Sequence, residues 1–265
     1  MSSPPQAQSE PAQGVQVQYH CAGRVAQVTL DQGKGNIIDM ACIGSLRSAF
    51  QDLAEQATVC AVVLDAKGKD FSFGASVAEH GPGQVEQMLP ALHELAREVL
   101  NTNLFLIAAI QGRCLGGGLE IALLADRLIA TPDACLAQPE ISLGVFAPLA
   151  SALLPHKVGP AQAADLLVTG RTLSGEEALG CGLIQALDSN PTQAAITWCE
   201  THLTPKSASG LRHAICAARH TWRTAALASL RELEDMYLGP LQQTADAQEG
   251  IAAFLERRRP IWRDA

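Results

Sequence analysis

Positive charge is scarce in this sequence. The chain of 265 residues carries 19 Lys and Arg against 27 Asp and Glu, a formal net charge of −8. Sequence-independent binding to nucleic acid needs a basic face, so nucleic acid is not expected as a partner. Long apolar runs are missing too. "LFLIAAI" is only strand-sized, and no membrane partner is expected. The opening "MSSPPQAQSEPAQG" lacks the apolar segment of a signal peptide and is expected to form a disordered tail over residues 1–14. The eight cysteines include no CxxC pair, so no metal site is expected from them. Most lie inside apolar runs as small buried residues, which fits a reducing cytoplasm. "LGGGLE" does not match the GxGxxG dinucleotide fingerprint, and Ser76 has no evident His/Asp partner for a hydrolytic triad.

What is present is apolar. At 48% hydrophobic and 17% charged residues, the chain can bury a sizeable core. "VQVQYH" and "RVAQVTL" alternate like paired strands with a turn at Ala22-Gly23, and "CAVVLDA" and "LFLIAAIQG" resemble buried strands. "MACIGSLRSAFQDLAEQ" and the segment from Val85 to Asn101 have helical spacing. Strands alternating with helices predict an α/β chain with crossover connections. After about Pro205 only helical patterns remain, so a core over residues 15–204 and a helical region over 205–265 are expected.

Three places carry candidate chemistry. Gly116, Gly117 and Gly118 stand before "LEIALL", where poor helix formers suggest that the backbone must approach something closely. On a helix beginning near Gly117, Glu120 shares its face, and the first N–H groups have no internal partner. A carbonyl oxygen held there would become an enolate at lower cost; a tight strand-to-helix turn explains the pattern equally well. In "FSFGAS", Gly74 can turn the N–H of Ala75 into a cleft, or can be an ordinary loop glycine. In "AQPEISLG", Glu140 is either the start of a helix capped by Gln138, or the second of two carboxylates for acid and base work. His80, His93 and His156 are each isolated and have the pattern of surface or core histidines.

"GASVAEH", "QGRCLGGGLEIALLADRLIAT" and "LAQPEISLGVFAP", in this order and spacing, resemble the crotonase (enoyl-CoA hydratase/isomerase) superfamily. "GNIID", "LLVTGRTLSGEEALGCGLI" and "EGIAAFLERRRP" extend the resemblance from about Val15 to the C-terminus. It implies a spiral core of ββα repeats with a C-terminal helical oligomerisation region, and a homotrimer or homohexamer. It also implies an acyl-CoA thioester substrate whose carbonyl is held by the N–H groups of Ala75 and Gly117. Glu120 and Glu140 occupy both glutamate positions of the family's hydratases. Coenzyme A belongs to the substrate, and no cofactor is implied. Lys34, in "GKGN", lies near where the family meets the CoA phosphates. Tyr237 lies near an aromatic position that can meet adenine from a neighbouring subunit.

The departures narrow the resemblance. Where many family hydratases have "PGAGGTQ", this chain has "FAPLASALLP". "FSFGAS", "QPEISLGVFAP" and "LLPHKVG" look most like the hydratases that act on cyclohexa-1,5-diene-1-carbonyl-CoA in anaerobic aromatic degradation. Phe146 and Pro148 are then expected to form a stiff apolar loop against a compact ring. Hydration of linear enoyl-CoA, double-bond isomerisation, hydrolysis of a cyclic acyl-CoA and a non-catalytic acyl-CoA-binding role are the competing readings.

Overall fold

The computed structural model describes residues 14–81 and 83–265, so the expected N-terminal tail, apart from Gly14, lies outside the described residues. Nine strands are described: β1 Val15–His20, β2 Val25–Leu30, β3 Ala61–Ala66, β4 Phe105–Ile110, β5 Arg113–Leu115, β6 Arg127–Ala130, β7 Cys135–Ala137, β8 Leu173–Ser174 and β9 Ala186–Leu187. The helices are α1 Met40–Glu55, α2 Val85–Asn101, α3 Gly117–Ala122, α4 Pro148–Val158, α5 Pro160–Thr169, α6 Gly175–Gly180, α7 Pro191–His202, α8 Ala208–Leu238 and α9 Ala245–Leu255. A six-stranded sheet runs β1-β2-β3-β4-β6-β9, and a three-stranded sheet runs β5-β7-β8.

In the large sheet β1 pairs antiparallel with β2, and every later neighbour pairs parallel. Parallel strands are covered on both faces, which is why β3 is buried at every position and reads as a continuous apolar run. Its one carboxylate, Asp65, accepts hydrogen bonds from Gln27 (2.8 Å), Thr29 (2.6 Å) and Thr192 (2.9 Å). The pairs β4–β5 and β6–β7 each send their first strand to the large sheet and their second to the small one. The connection after β5 is α3, so the glycine triplet sits where the chain leaves the small sheet.

Helix α1 starts where Asp39 accepts from the Cys42 N–H at 2.8 Å. The bounds of α2 coincide with the segment expected from its periodicity. The 31-residue α8 packs along α2 and α4. Arg219 pins it there: the guanidinium is 2% exposed, donates to both Asp126 oxygens (2.8 and 2.5 Å) and to the carbonyls of Thr102 and Leu104 (both 2.8 Å). A buried charge whose three nitrogens all donate, two of them to a carboxylate, is a tolerable one.

Two local expectations are corrected. "FAPLAS" is a loop only at Phe146 and Ala147: Pro148 begins α4, its fixed φ and missing N–H suiting the first position of a helix. The run that follows contains no glycine, and the helix continues through Pro155 to Val158, with Gly159 closing it. Gln138 precedes a 3₁₀ turn over Pro139–Leu143, but its side chain does not cap that turn.

Candidate active site

"GNIID" and "FSFGAS" are held together by one network. Asn36 is buried, with φ at +43°, and its amide donates to the carbonyls of Lys67 (3.0 Å) and Asp70 (3.2 Å). The Ser72 hydroxyl donates to the Asn36 carbonyl (2.7 Å) and accepts from the Gly74 N–H (3.0 Å). Ile38 donates to the Gly74 carbonyl (3.0 Å), and Ser76 donates to the Ile38 carbonyl (2.9 Å). This bridge uses the groups on either side of Ala75, so the Ala75 N–H is not part of it. Gly117 is the first residue of α3, and its N–H likewise has no carbonyl one turn back.

Each glycine of the triplet has a separate steric reason. At Gly116, φ is +49°, and a Cβ would lie 2.6 Å from Glu140 Oε1. At Gly117 it would lie 2.9 Å from both the Cβ and the N of Ala75, and at Gly118 it would lie 2.5 Å from the Ser72 Cβ. The backbone therefore approaches Ala75 and the Glu140 carboxylate closely, bringing two N–H groups and a carboxylate to one place.

That place opens into a cavity of about 330 Å³. Ala75, Gly117, Glu120, Glu140, Phe146 and Pro148 all line it. Glu120 is 4% exposed and accepts from the Ala150 N–H at 2.9 Å. Burial pushes its carboxyl up from the ordinary carboxylate range, and the N–H groups of Ala150 and Leu149 partly offset this. Glu140 is raised by burial first and by the nearby Glu120 charge second. With its nitrogen turned toward the carboxylate, the Gln138 amide donates to both Glu140 oxygens (3.1 and 3.0 Å). Gln138 thus orients Glu140 instead of capping the turn. Both carboxyls are thus raised, Glu140 further by the charge of Glu120, which equips the pair to give and take protons in one turnover.

Lys34 is not brought to the cavity. It is exposed on the turn before Asn36, although Gly35 packs against Phe73, which does line it. Tyr237 is also corrected: it is 1% exposed within its own chain and lines the cavity beside Phe146, so it is not presented to a neighbouring subunit. His80 lines the cavity as well, its Nδ1 2.8 Å from the Ser76 carbonyl. His93 pairs with Glu234 at 2.5 Å, and His156 faces Trp222. Sequence reasoning passed over Tyr237 and His80 as site residues. Isolated in sequence, neither carries a local pattern that points to the glutamates. Among the described residues no group of three or more metal-ligating side chains comes together, and no helix is long and apolar enough to cross a membrane.

Comparison with known proteins gives a consistent result. A family model described as enoyl-CoA hydratase/isomerase matches residues 21–265. The cyclohexa-1,5-dienecarbonyl-CoA hydratase of Thauera aromatica is 44% identical over 254 residues, covering 96% of this chain and 98% of that one. A probable enoyl-CoA hydratase of Bacillus subtilis is 30% identical, covering 89% and 94% of the two chains. Among solved structures, an enoyl-CoA hydratase from Mycobacterium avium subsp. paratuberculosis has a TM-score of 0.82 at 24% identity, covering 95% of this chain and 99% of its own. One from Bacillus halodurans has a TM-score of 0.83 at 21% identity, covering 91% and 99%. These two likenesses establish the fold.

Proposed function

Because the chain belongs to the enoyl-CoA hydratase/isomerase family, we propose that it adds water to a conjugated cyclic dienoyl-CoA, cyclohexa-1,5-diene-1-carbonyl-CoA, giving 6-hydroxycyclohex-1-ene-1-carbonyl-CoA. The observation that carries this reading is the meeting of two buried glutamates and two unengaged N–H groups in one cavity walled by Phe146 and Tyr237. The 44% identity to a relative of that name supports the ring as substrate.

In this mechanism the thioester oxygen accepts from the N–H groups of Ala75 and Gly117, which stabilise the charge as it develops. The ionised glutamate takes a proton from water as the water oxygen bonds to the ring carbon β to the thioester. The electron pair moves through the ring into an extended dienolate. The protonated glutamate then delivers its proton to the far end of that dienolate, so H and OH add across the diene and coenzyme A stays attached. Activation comes from polarising the thioester, and the scheme requires no cofactor. Lys34 is exposed beside Gly35, which packs on the cavity-lining Phe73, and from outside the cavity would meet the phosphate end of the CoA.

Phe146 and the buried Pro148 give the cavity a broad, fixed wall, Pro148 being anchored as the first residue of α4. A methylene-sized difference in fit is worth about 1–3 kcal/mol. The cyclic dienoyl-CoA is therefore expected to exceed crotonyl-CoA in kcat/KM by at least roughly tenfold. Phe146→Ala should narrow the gap, mainly by harming the cyclic substrate. Steady-state assays with the two thioesters check this. Equal or better turnover of crotonyl-CoA by the unmodified protein would refute the ring as substrate and leave hydration standing.

Assembly as a homotrimer or homohexamer in the cytoplasm completes the proposal. Met236, Phe254, Leu255, Ile261 and Trp262 all belong to the C-terminal helical region and are between 42% and 74% exposed. Large apolar side chains left exposed in one region are a feature of subunit contacts. Light scattering is expected to give a mass of three or six chains, and a stable monomer at micromolar concentration would count decisively against it.

A further inference from the structure

Tyr237 brings an unsatisfied hydroxyl to the cavity. Its ring meets Phe146 edge-on, with centroids 5.5 Å apart and planes at 64°. The side chain packs among Val85, Leu89, Val145 and Ile251, which offer no side-chain acceptor. Its Oη is buried and has no hydrogen-bond partner. Buried phenols normally find a partner, because an unmade hydrogen bond away from water is costly. The side chain is also well placed: one turn earlier on α8, Glu234 pairs with the buried His93 of α2 at 2.5 Å, holding this stretch of the helix in place.

Two observations narrow down the missing partner. The phenol titrates well above its ordinary value, through burial first and then through the negative charges of Glu120 and Glu140. It therefore stays protonated and serves as a donor, and it lies within the field of both glutamates. The thioester oxygen already has two backbone donors. The acceptor left over is the oxygen that the glutamates handle.

We propose that the Tyr237 hydroxyl donates a hydrogen bond to the oxygen added to the substrate, first as water and then as the product hydroxyl. The water would give its protons toward the carboxylates and accept from Tyr237 with one lone pair. Its other lone pair would then face the ring carbon. Tyr237 would in this way fix the face of the ring on which the hydroxyl is set, a task that neither glutamate performs alone. The proposal rests on the cyclic-hydration reading above.

The test is Tyr237→Phe, which removes only the hydroxyl. Turnover of the cyclic dienoyl-CoA is expected to fall about tenfold or more, as for a lost hydrogen bond to a reacting group. The melting temperature of the unliganded protein should be unchanged or raised, since the hydroxyl has no partner in the fold. In a Glu140→Gln background, which slows turnover, two thioesters are compared by calorimetry: 6-hydroxycyclohex-1-ene-1-carbonyl-CoA and its analogue lacking the hydroxyl. The preference for the hydroxylated ester should drop about tenfold when Tyr237→Phe is added. Undiminished turnover, or an unchanged preference, overturns the proposal. So does a variant that melts several degrees lower or fails to fold, because the hydroxyl would then have a structural partner. Failure of the unmodified protein to hydrate the ring thioester overturns the cyclic reading and this proposal together, whereas wild-type turnover that survives Tyr237→Phe overturns this proposal alone.

Discussion

Glu120→Gln and Glu140→Gln are each expected to lower kcat by about 10²–10⁴-fold, the usual contribution of a positioned acid or base. Acyl-CoA affinity should change little, because the thioester oxygen is held by backbone groups and the ring by apolar walls. The pH profile gives an independent check. Burial raises both carboxyls, and the charge of Glu120 raises Glu140 further; the scheme needs one glutamate ionised and the other protonated, so the active form is the pair carrying a single proton. The profile of kcat/KM is then a bell, falling on the acid side when both are protonated and on the basic side when both are ionised. Either variant should lose one limb of that bell along with its turnover. Near-wild-type turnover in either would remove that residue from the mechanism.

Stability should respond in the opposite sense to activity. A carboxyl whose folded pKa lies above its unfolded value binds its proton more tightly in the native state. The stability this provides is present below the unfolded pKa and is lost as pH rises through the folded one. At neutral pH an ionised buried glutamate is therefore a cost, and a neutral amide of the same shape removes it. Thermal denaturation is expected to place both Gln variants at or above the wild-type melting temperature. Low turnover in such a protein cannot be blamed on misfolding.

The helices and the buried strands were legible because their signals are local. The apolar spacing of Val85–Asn101 predicted the bounds of α2, and the apolar run in "CAVVLDA" predicted the buried strand at Ala61–Ala66. The glycine triplet was legible as a place of close approach, but what it approaches was not. The reasons lie in Ala75, Ser72 and Glu140, which are 24–46 positions away along the chain. Gln138 looked like a helix cap because Gln-Pro-Glu is a plausible helix start, and only the tertiary arrangement turns its amide toward Glu140. Asn36 could be quoted as part of "GNIID", yet its purpose appears only when the Ser72–Gly74 segment lies against it. Tyr237 was the hardest to see. It lies 117 positions after Glu120 on a helix of mixed polarity, and nothing in the sequence nearby marks its hydroxyl as lacking a partner.

Gly117→Ala is expected to reduce kcat by about 10²–10³-fold, the loss seen when one oxyanion donor is removed. Alanine favours helix more than glycine does, so α3 itself should form as well or better. The damage would come from across the gap. The added Cβ would lie 2.9 Å from the Ala75 nitrogen, 2.9 Å from its Cβ and 3.3 Å from its Cα, and real contacts of this kind do not persist below 3.0 Å. Ala75 is held by the Ile38 bridge on one side and the Ser72 network on the other, so relief must come from moving that segment away from α3. The two N–H groups would then no longer converge on one oxygen. KM should change less than kcat, because the donors matter most when charge develops on the oxygen. Ala75→Gly provides the control. It keeps the backbone N–H and is expected to retain most of the activity, and combined with Gly117→Ala it should restore part of the loss by removing one of the colliding atoms. Single-turnover measurement of the hydration step in the three variants separates the outcomes. Near-wild-type chemistry in Gly117→Ala would show that these two N–H groups do not form the oxyanion site.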